Sequence, residues 1–163
     1  MLSKDVFTTL YNYNYRANAR VLEHAARLSE AQLLASSGYS HGSLRDILLH
    51  TLRVEWVWRT LAQEGEIRGA PPFTAEDFPT VEHLKTRWQE EEQQMRSFLV
   101  HLGEDDLASI VQAKDPKGNI VPLARWRMLL HLILHSMQHR SEAANLLTAH
   151  GQSPGNLDFI FLG

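Results

Sequence analysis

The chain has 163 residues, 44% of them hydrophobic, and its 16 basic and 19 acidic side chains leave a formal charge of −3 with neither sign gathered into a block. That is enough chain for one domain with a real core, and the charge pattern excludes nucleic acid and anionic membrane as expected partners. The absence of cysteine excludes disulfides, thiolate metal sites and a nucleophilic thiol of the chain's own.

The opening MLSKDVFTTL lacks the apolar segment of a signal peptide, and no stretch approaches the roughly 20 apolar residues of a membrane span. A cytoplasmic protein is therefore expected. Val6, Leu10, Tyr13, Ala17, Val21 and Ala25 recur at threes and fours and predict a first helix over about residues 3–28, with Ser3 as its N-cap. A polar loop follows to Gly42, and Ser43 with Asp46 three residues on predicts a cap for the helix LRDILLHTLRVEWVWRTLAQ, which carries His50 near its middle. Trp56 and Trp58 in that helix are two apart, so they point to different sides and at least one belongs in the core.

Gly65, Gly69, Pro71, Pro72 and Pro79 then break the chain. A third helix is predicted from near Thr80 to about Leu102, closed by Gly103, and its run Glu90, Glu91, Glu92 marks it as the most solvated of the set. Two short apolar segments, SIVQA and IVP, flank a turn with Pro116 and Gly118 and predict a small hairpin. The fourth helix is expected to start at Pro122 or just after it and to run to Gly151. The tail ends in Phe159, Ile160, Phe161 and Leu162, which must pack on the bundle or on a second subunit, and a homodimer is expected. With no repeat or linker, the economical architecture is an all-α four-helix bundle over residues 1–163, one domain, with a short β-hairpin between the third and fourth helices.

Histidine is the compositional oddity. Of nine histidines, three crowd into the fourth helix at His131, His135 and His139. Residues four apart share a helix face with Cβ atoms about 5–6 Å apart, close enough for two imidazoles to hold one divalent ion. The drift of about 40° per four-residue step puts His131 and His139 about 80° apart, so one of the three is spare. A third ligand must come from elsewhere, and His50 is the best placed, on a segment flanked by the core-like Ile47, Leu49, Val54 and Val57. His24, His41, His83, His101 and His150 fall near predicted helix ends or in loops and are given no role. Asp46, four residues before His50, is a carboxylate within reach of the site.

The segments YNYNYRANARVLEHAARLS, SLRDILLHTLRVEWVW and LLHLILHSMQHR together make the chain resemble the DinB/YfiT-like superfamily of small four-helix metal-binding proteins, over nearly its whole length. The resemblance rests on Tyr11, Asn12, Ala17 and Asn18 in the first helix, on His50 and Glu55 in the second, and on the histidine, three residues, histidine, three residues, histidine-arginine pattern of the fourth. It implies metal ligands at His50, His135 and His139, with His131 a neighbour. The family usually continues with glycine and glutamine after the arginine, whereas this chain has Ser141 and Glu142. Glu142 lies three residues after His139, so it is placed to accept a hydrogen bond from a ligand imidazole, to approach the ion, or to act on bound water, and it is the one catalytic candidate.

Imidazoles without thiolates leave a coordination position for water or substrate, as catalytic zinc sites do, and zinc or nickel is the expected ion. The resemblance also implies a thiol-dependent transferase acting on a small-molecule substrate, with a low-molecular-weight thiol such as mycothiol, bacillithiol or glutathione as cosubstrate. Arg16, Arg53 and Arg140 are the basic residues placed to meet a carboxylate-bearing thiol. The alternatives are a metal-dependent hydrolase, and a metal-binding or stress-induced protein without turnover in which the ion ties two helices together.

Overall fold

The computed structural model describes residues 3–66, 70–114 and 118–162, so the breaker Gly69 and the turn residue Pro116 lie outside the described residues. The architecture is mostly helical, with four long helices and one two-stranded hairpin. Helix α1 spans Lys4–Ala25, with Ser3 accepting from the Val6 amide as its cap. Helix α3 spans Leu44–Glu64 and starts on a reciprocal capping box, in which Ser43 and Asp46 each satisfy the other's backbone N–H. The loop between them contains a short helix, α2, at Glu30–Leu34, nucleated by its own Ser29 and Gln32 box. Periodicity does not reveal α2, because five residues hold barely more than one turn.

Helix α4 spans Val81–His101, and a short helix α5 follows at Glu104–Ala108. Helix α4 is less solvated at its centre than its glutamate run suggests. Glu90 is exposed, but Glu91 is fully buried and forms an ion pair with Arg59 of α3, joined by Arg87 at 3.4 Å. A buried carboxylate survives there because guanidinium groups meet both of its oxygens.

Strands β1 (Ile110–Lys114) and β2 (Ile120–Ala124) pair antiparallel in the register Ile110 to Ala124 and Lys114 to Ile120. Pro122 belongs to β2, opposite Gln112, and does not open the last helix. A proline is tolerated there because a two-stranded ribbon leaves an outer edge that needs no N–H. Helix α6 starts instead at Arg125 and runs to Ala149. The Arg125 amide bonds Ser109 O, and its guanidinium reaches the carbonyls of Ala62 and Asp106, which fixes the start of α6 against α3 and α5.

The core fills the space between α1, α3, α4 and α6, with Phe7, Tyr11, Ile47, Leu52, Leu84, Met95, Leu129 and Leu147 among its most buried members. Both Trp56 and Trp58 pack against it while half-exposed. The tail forms a last turn, α7, at Phe159–Leu162. It packs on the bundle through Phe159, edge-on to Tyr13 at 5.3 Å, and through Leu162 O, which accepts from Arg16 at 3.1 Å. Ile160 and Phe161 remain 79% and 71% exposed, so half of the tail's apolar surface is uncovered. No helix among the described residues is long and apolar enough to cross a membrane.

One buried polar cluster ties all four long helices together. Glu55 of α3, 1% exposed, accepts from Asn14 and Asn18 of α1 at 3.2 and 2.9 Å, from Trp88 of α4 at 2.8 Å and from Ser136 of α6 at 3.0 Å. The carbonyl oxygens of the two asparagines face the other way and accept from Arg140 at 2.7 and 2.8 Å. Two amides thus bridge a buried carboxyl and a buried guanidinium without direct contact, and of these groups only Arg140 Nη2 is left without a partner.

Candidate metal centre

Helices α3 and α6 lie side by side, and their adjoining faces decide where the histidines go. On α6 the core stripe runs through Leu132, Ser136, Ala143 and Leu147. His139 sits at its edge, 4% exposed, His135 is half-buried one turn earlier, and His131 is rotated out to solvent. The ring of His131 stacks edge-on against Trp58 at 4.7 Å. Facing them, His50 projects from α3 with its ring 5.0 Å from that of His135 and 4.8 Å from that of His139. The rings of His135 and His139 are 4.4 Å apart.

The decisive distance is 3.2 Å, between Nε2 of His50 and Nε2 of His135. Two nitrogens bound tetrahedrally at the usual zinc distance of about 2.0–2.1 Å lie about 3.3–3.4 Å apart, so the pair already stands at the spacing one ion requires. The donor chemistry fits as well. Burial, reinforced by the neighbouring imidazoles, lowers both His50 and His135 to about 4, which keeps them neutral and able to donate a lone pair at physiological pH.

A fourth histidine joins them. His41, in the loop before α3, stacks on His50 with ring centroids 3.7 Å apart and planes at 17°, and it meets His139 edge-on at 5.0 Å. The ligand atoms of His41, His50 and His139 all lie within 4.8 Å of one another. His41 was given no role from the sequence, since a loop has no periodicity to relate it to a helix face. The only local signal is the pair of glycines, Gly38 and Gly42, that brackets its turn.

Glu142 reaches back one turn, and its Oε2 lies 2.7 Å from His139 Nδ1. That contact fixes the ring and leaves Nε2 as its donor atom, the usual arrangement of a carboxylate behind a ligand imidazole. His135 has no such support, and its Nδ1 is buried without a hydrogen-bond partner. Asp46 is engaged elsewhere. It bonds the hydroxyl and amide of Ser43 and lies 3.3 Å from Arg45; burial pushes its carboxyl up, but these partners outweigh it and hold the carboxyl below its ordinary value. Arg140 belongs to the buried Glu55 cluster, so it is unavailable as a surface contact for a cosubstrate. Arg53, one turn after His50 and half-exposed, donates to Phe73 O at 3.2 Å.

A model of the DinB family matches residues 1–162. The chain belongs to the DinB family. No curated protein matches it. Family membership and the clustered histidines together fit a metal-binding protein of DinB type. A cavity of about 330 Å³ is lined by Gln63, Gln94, Phe98, His101, Asp106 and Arg125 and includes none of the clustered histidines. Arg125 and Asp106 are already tied to the backbone and to each other there, which makes that cavity a surface recess between paired groups.

Proposed function

We propose that the protein holds one divalent ion, zinc or nickel, through His50, His135 and His139, and uses it in a transfer reaction of a low-molecular-weight thiol. The observation that carries this reading is the 3.2 Å approach of imidazole nitrogens from two helices, beside a third imidazole oriented by Glu142. When bound, such an ion lowers the pKa of an incoming thiol and holds the thiolate. The chain's own contributions are separable from that chemistry. His50 and His135 stay neutral through burial, Glu142 orients His139, and the missing cysteine leaves no thiolate of the protein to compete for the site. Arg53 acts through space on His50 and is a cation placed to attract a cosubstrate carboxylate.

The reading without turnover, in which the ion mainly ties α3 to α6, is weakened by the Glu55 cluster. That cluster already joins those two helices, with α1 and α4, through buried hydrogen bonds. The hydrolase reading needs a carboxylate free to take a proton from water, and Glu142 is engaged with His139.

The test is metal analysis of untagged protein, followed by a panel of thiols with an electrophilic acceptor. Close to one ion per chain is expected, together with conjugation that stops on chelation and returns on reloading, while the helical circular dichroism persists throughout. Finding essentially no metal after growth with added zinc and nickel would sink the reading. Metal without thiol turnover would leave only the binding protein.

A further inference from the structure

The histidine cluster contains one more imidazole than its helices supply. Three of its rings stand on rigid supports: His50 on α3, and His135 and His139 on α6. The other stands on a turn. Gly42 N bonds Tyr39 O at 3.0 Å, Ser37 N bonds Gly42 O at 3.0 Å, and the Ser37 hydroxyl bonds the same carbonyl. Gly42 adopts a φ of +88°, and the turn feeds directly into the Ser43 cap of α3. The turn's other end, at Gly38 with a φ of +78°, has no atom within 4 Å of where a side chain would begin. The Tyr39 hydroxyl touches Asn145 of α6 at 3.4 Å, so the loop spans from one helix of the site to the other. His41 is therefore held over the cluster by a hydrogen-bonded turn, with open space beside Gly38 at its start.

We propose that His41 is a fourth nitrogen donor to the same ion, carried on a loop, which fills the coordination position that the three helical histidines leave open. This rests on the metal reading above and deepens it. His41 lies 3.7 Å over His50, face to face, with its edge toward His139, so its ring stands beside the nitrogens of both. Its donor atom lies within 4.8 Å of those of His50 and His139, and the stacked ring must tilt and close in to reach the roughly 3.3–3.4 Å spacing of a tetrahedral edge. The helices are locked by core packing, whereas His41 stands on a loop, which supplies that movement. The centre then has two states. With His41 bound it is a closed four-nitrogen site, and with His41 displaced it accepts an external donor. A thiolate is anionic and more polarisable than imidazole, so it is suited to displace a neutral ring that is not fixed to a helix.

The experiment uses the full chain loaded with cobalt(II) as a spectroscopic stand-in for zinc, in three forms: parent, His41→Ala and His41→Phe. The phenylalanine variant keeps an aromatic ring able to stack on His50 while removing the nitrogen donors. X-ray absorption counts the imidazoles, visible absorption reports coordination, chelator competition gives cobalt affinity, and 2-mercaptoethanol is titrated while the sulfur-to-cobalt band is followed. Expected are four imidazoles in the parent and three in both variants, and a cobalt affinity lowered by about tenfold or more in both. Sulfur binding should appear at about tenfold lower thiol in the variants, because no internal ligand has to leave. Identical imidazole counts and thiol titrations in all three would overturn the proposal, as would a phenylalanine variant that matches the parent. Cobalt binding by none of the three would instead overturn the metal reading, and this inference with it.

Discussion

Two buried polar clusters lie next to each other in the bundle, and they are built on opposite rules. Around Glu55 every carboxylate oxygen is met, each asparagine uses both ends of its amide, and all four long helices contribute. Around His50 the imidazoles crowd together with only His139 backed by a carboxylate, Nδ1 of His135 has no hydrogen-bond partner, and three of the four rings are half-exposed. The first cluster is complete around Glu55 as folded, with Arg140 Nη2 left over, so it serves architecture. The second makes chemical sense only with something added, so it serves function. Neighbouring residues divide between the two: Ser136 and Arg140 face Glu55, while His135 and His139 face His50.

Breaking the complete cluster should have the largest effect. Glu55→Ala leaves four donors and the buried Arg140 without their anion, with an expected loss of about 3–5 kcal/mol in denaturant unfolding. A loss under about 1 kcal/mol would show that the cluster is not what locks the helices. Its pH dependence sharpens the same point. Burial pushes the Glu55 carboxyl up to about 7 from 4.5, against the donors that pull it down. With the folded value raised, the associated stability is full below pH 4.5 and is lost as pH rises through 7, by about 3 kcal/mol in all. In metal-free protein Glu55→Gln should remove that fall, measured as melting temperature against pH for the two proteins.

Smaller effects are expected in the open cluster, and they should appear in metal affinity while folding stability is nearly unchanged. Glu142→Gln keeps a hydrogen-bonding group beside His139 but removes its charge, and should weaken metal binding by about tenfold in a chelator competition. His131→Ala should change affinity by less than about twofold, since His131 faces Trp58 and solvent. If His131→Ala instead released the ion, the division of α6 between its two faces would be wrong.

The long helices, their caps and the hairpin were legible in the sequence because each depends on local chemistry: a period of threes and fours, Ser43 with Asp46, two apolar runs about a turn. The misplaced start of α6 has a local cause too. Pro122 suits a first helical turn and an edge strand equally, and only the pairing of β2 with β1 decides between them. The burial of Glu91 was illegible because its partner, Arg59, lies on another helix. At the site, the angular argument makes one of the three histidines of α6 spare and the resemblance makes it His131, whose ring the structure turns out against Trp58 and solvent. Asp46 shows the reverse, a carboxylate in reach by count but already engaged by Ser43. His41 lay beyond any periodic argument, since what brings it to His50 is the fold of a turn.

That turn also has a stereochemical consequence. At Gly38 there is room for a side chain, since nothing lies within 4 Å, but the positive φ is disfavoured for an L-residue by about 1–2 kcal/mol. The constraint there is one of handedness and not of space. A D-alanine placed at position 38 by chemical synthesis would match the handedness of the backbone and stiffen the loop.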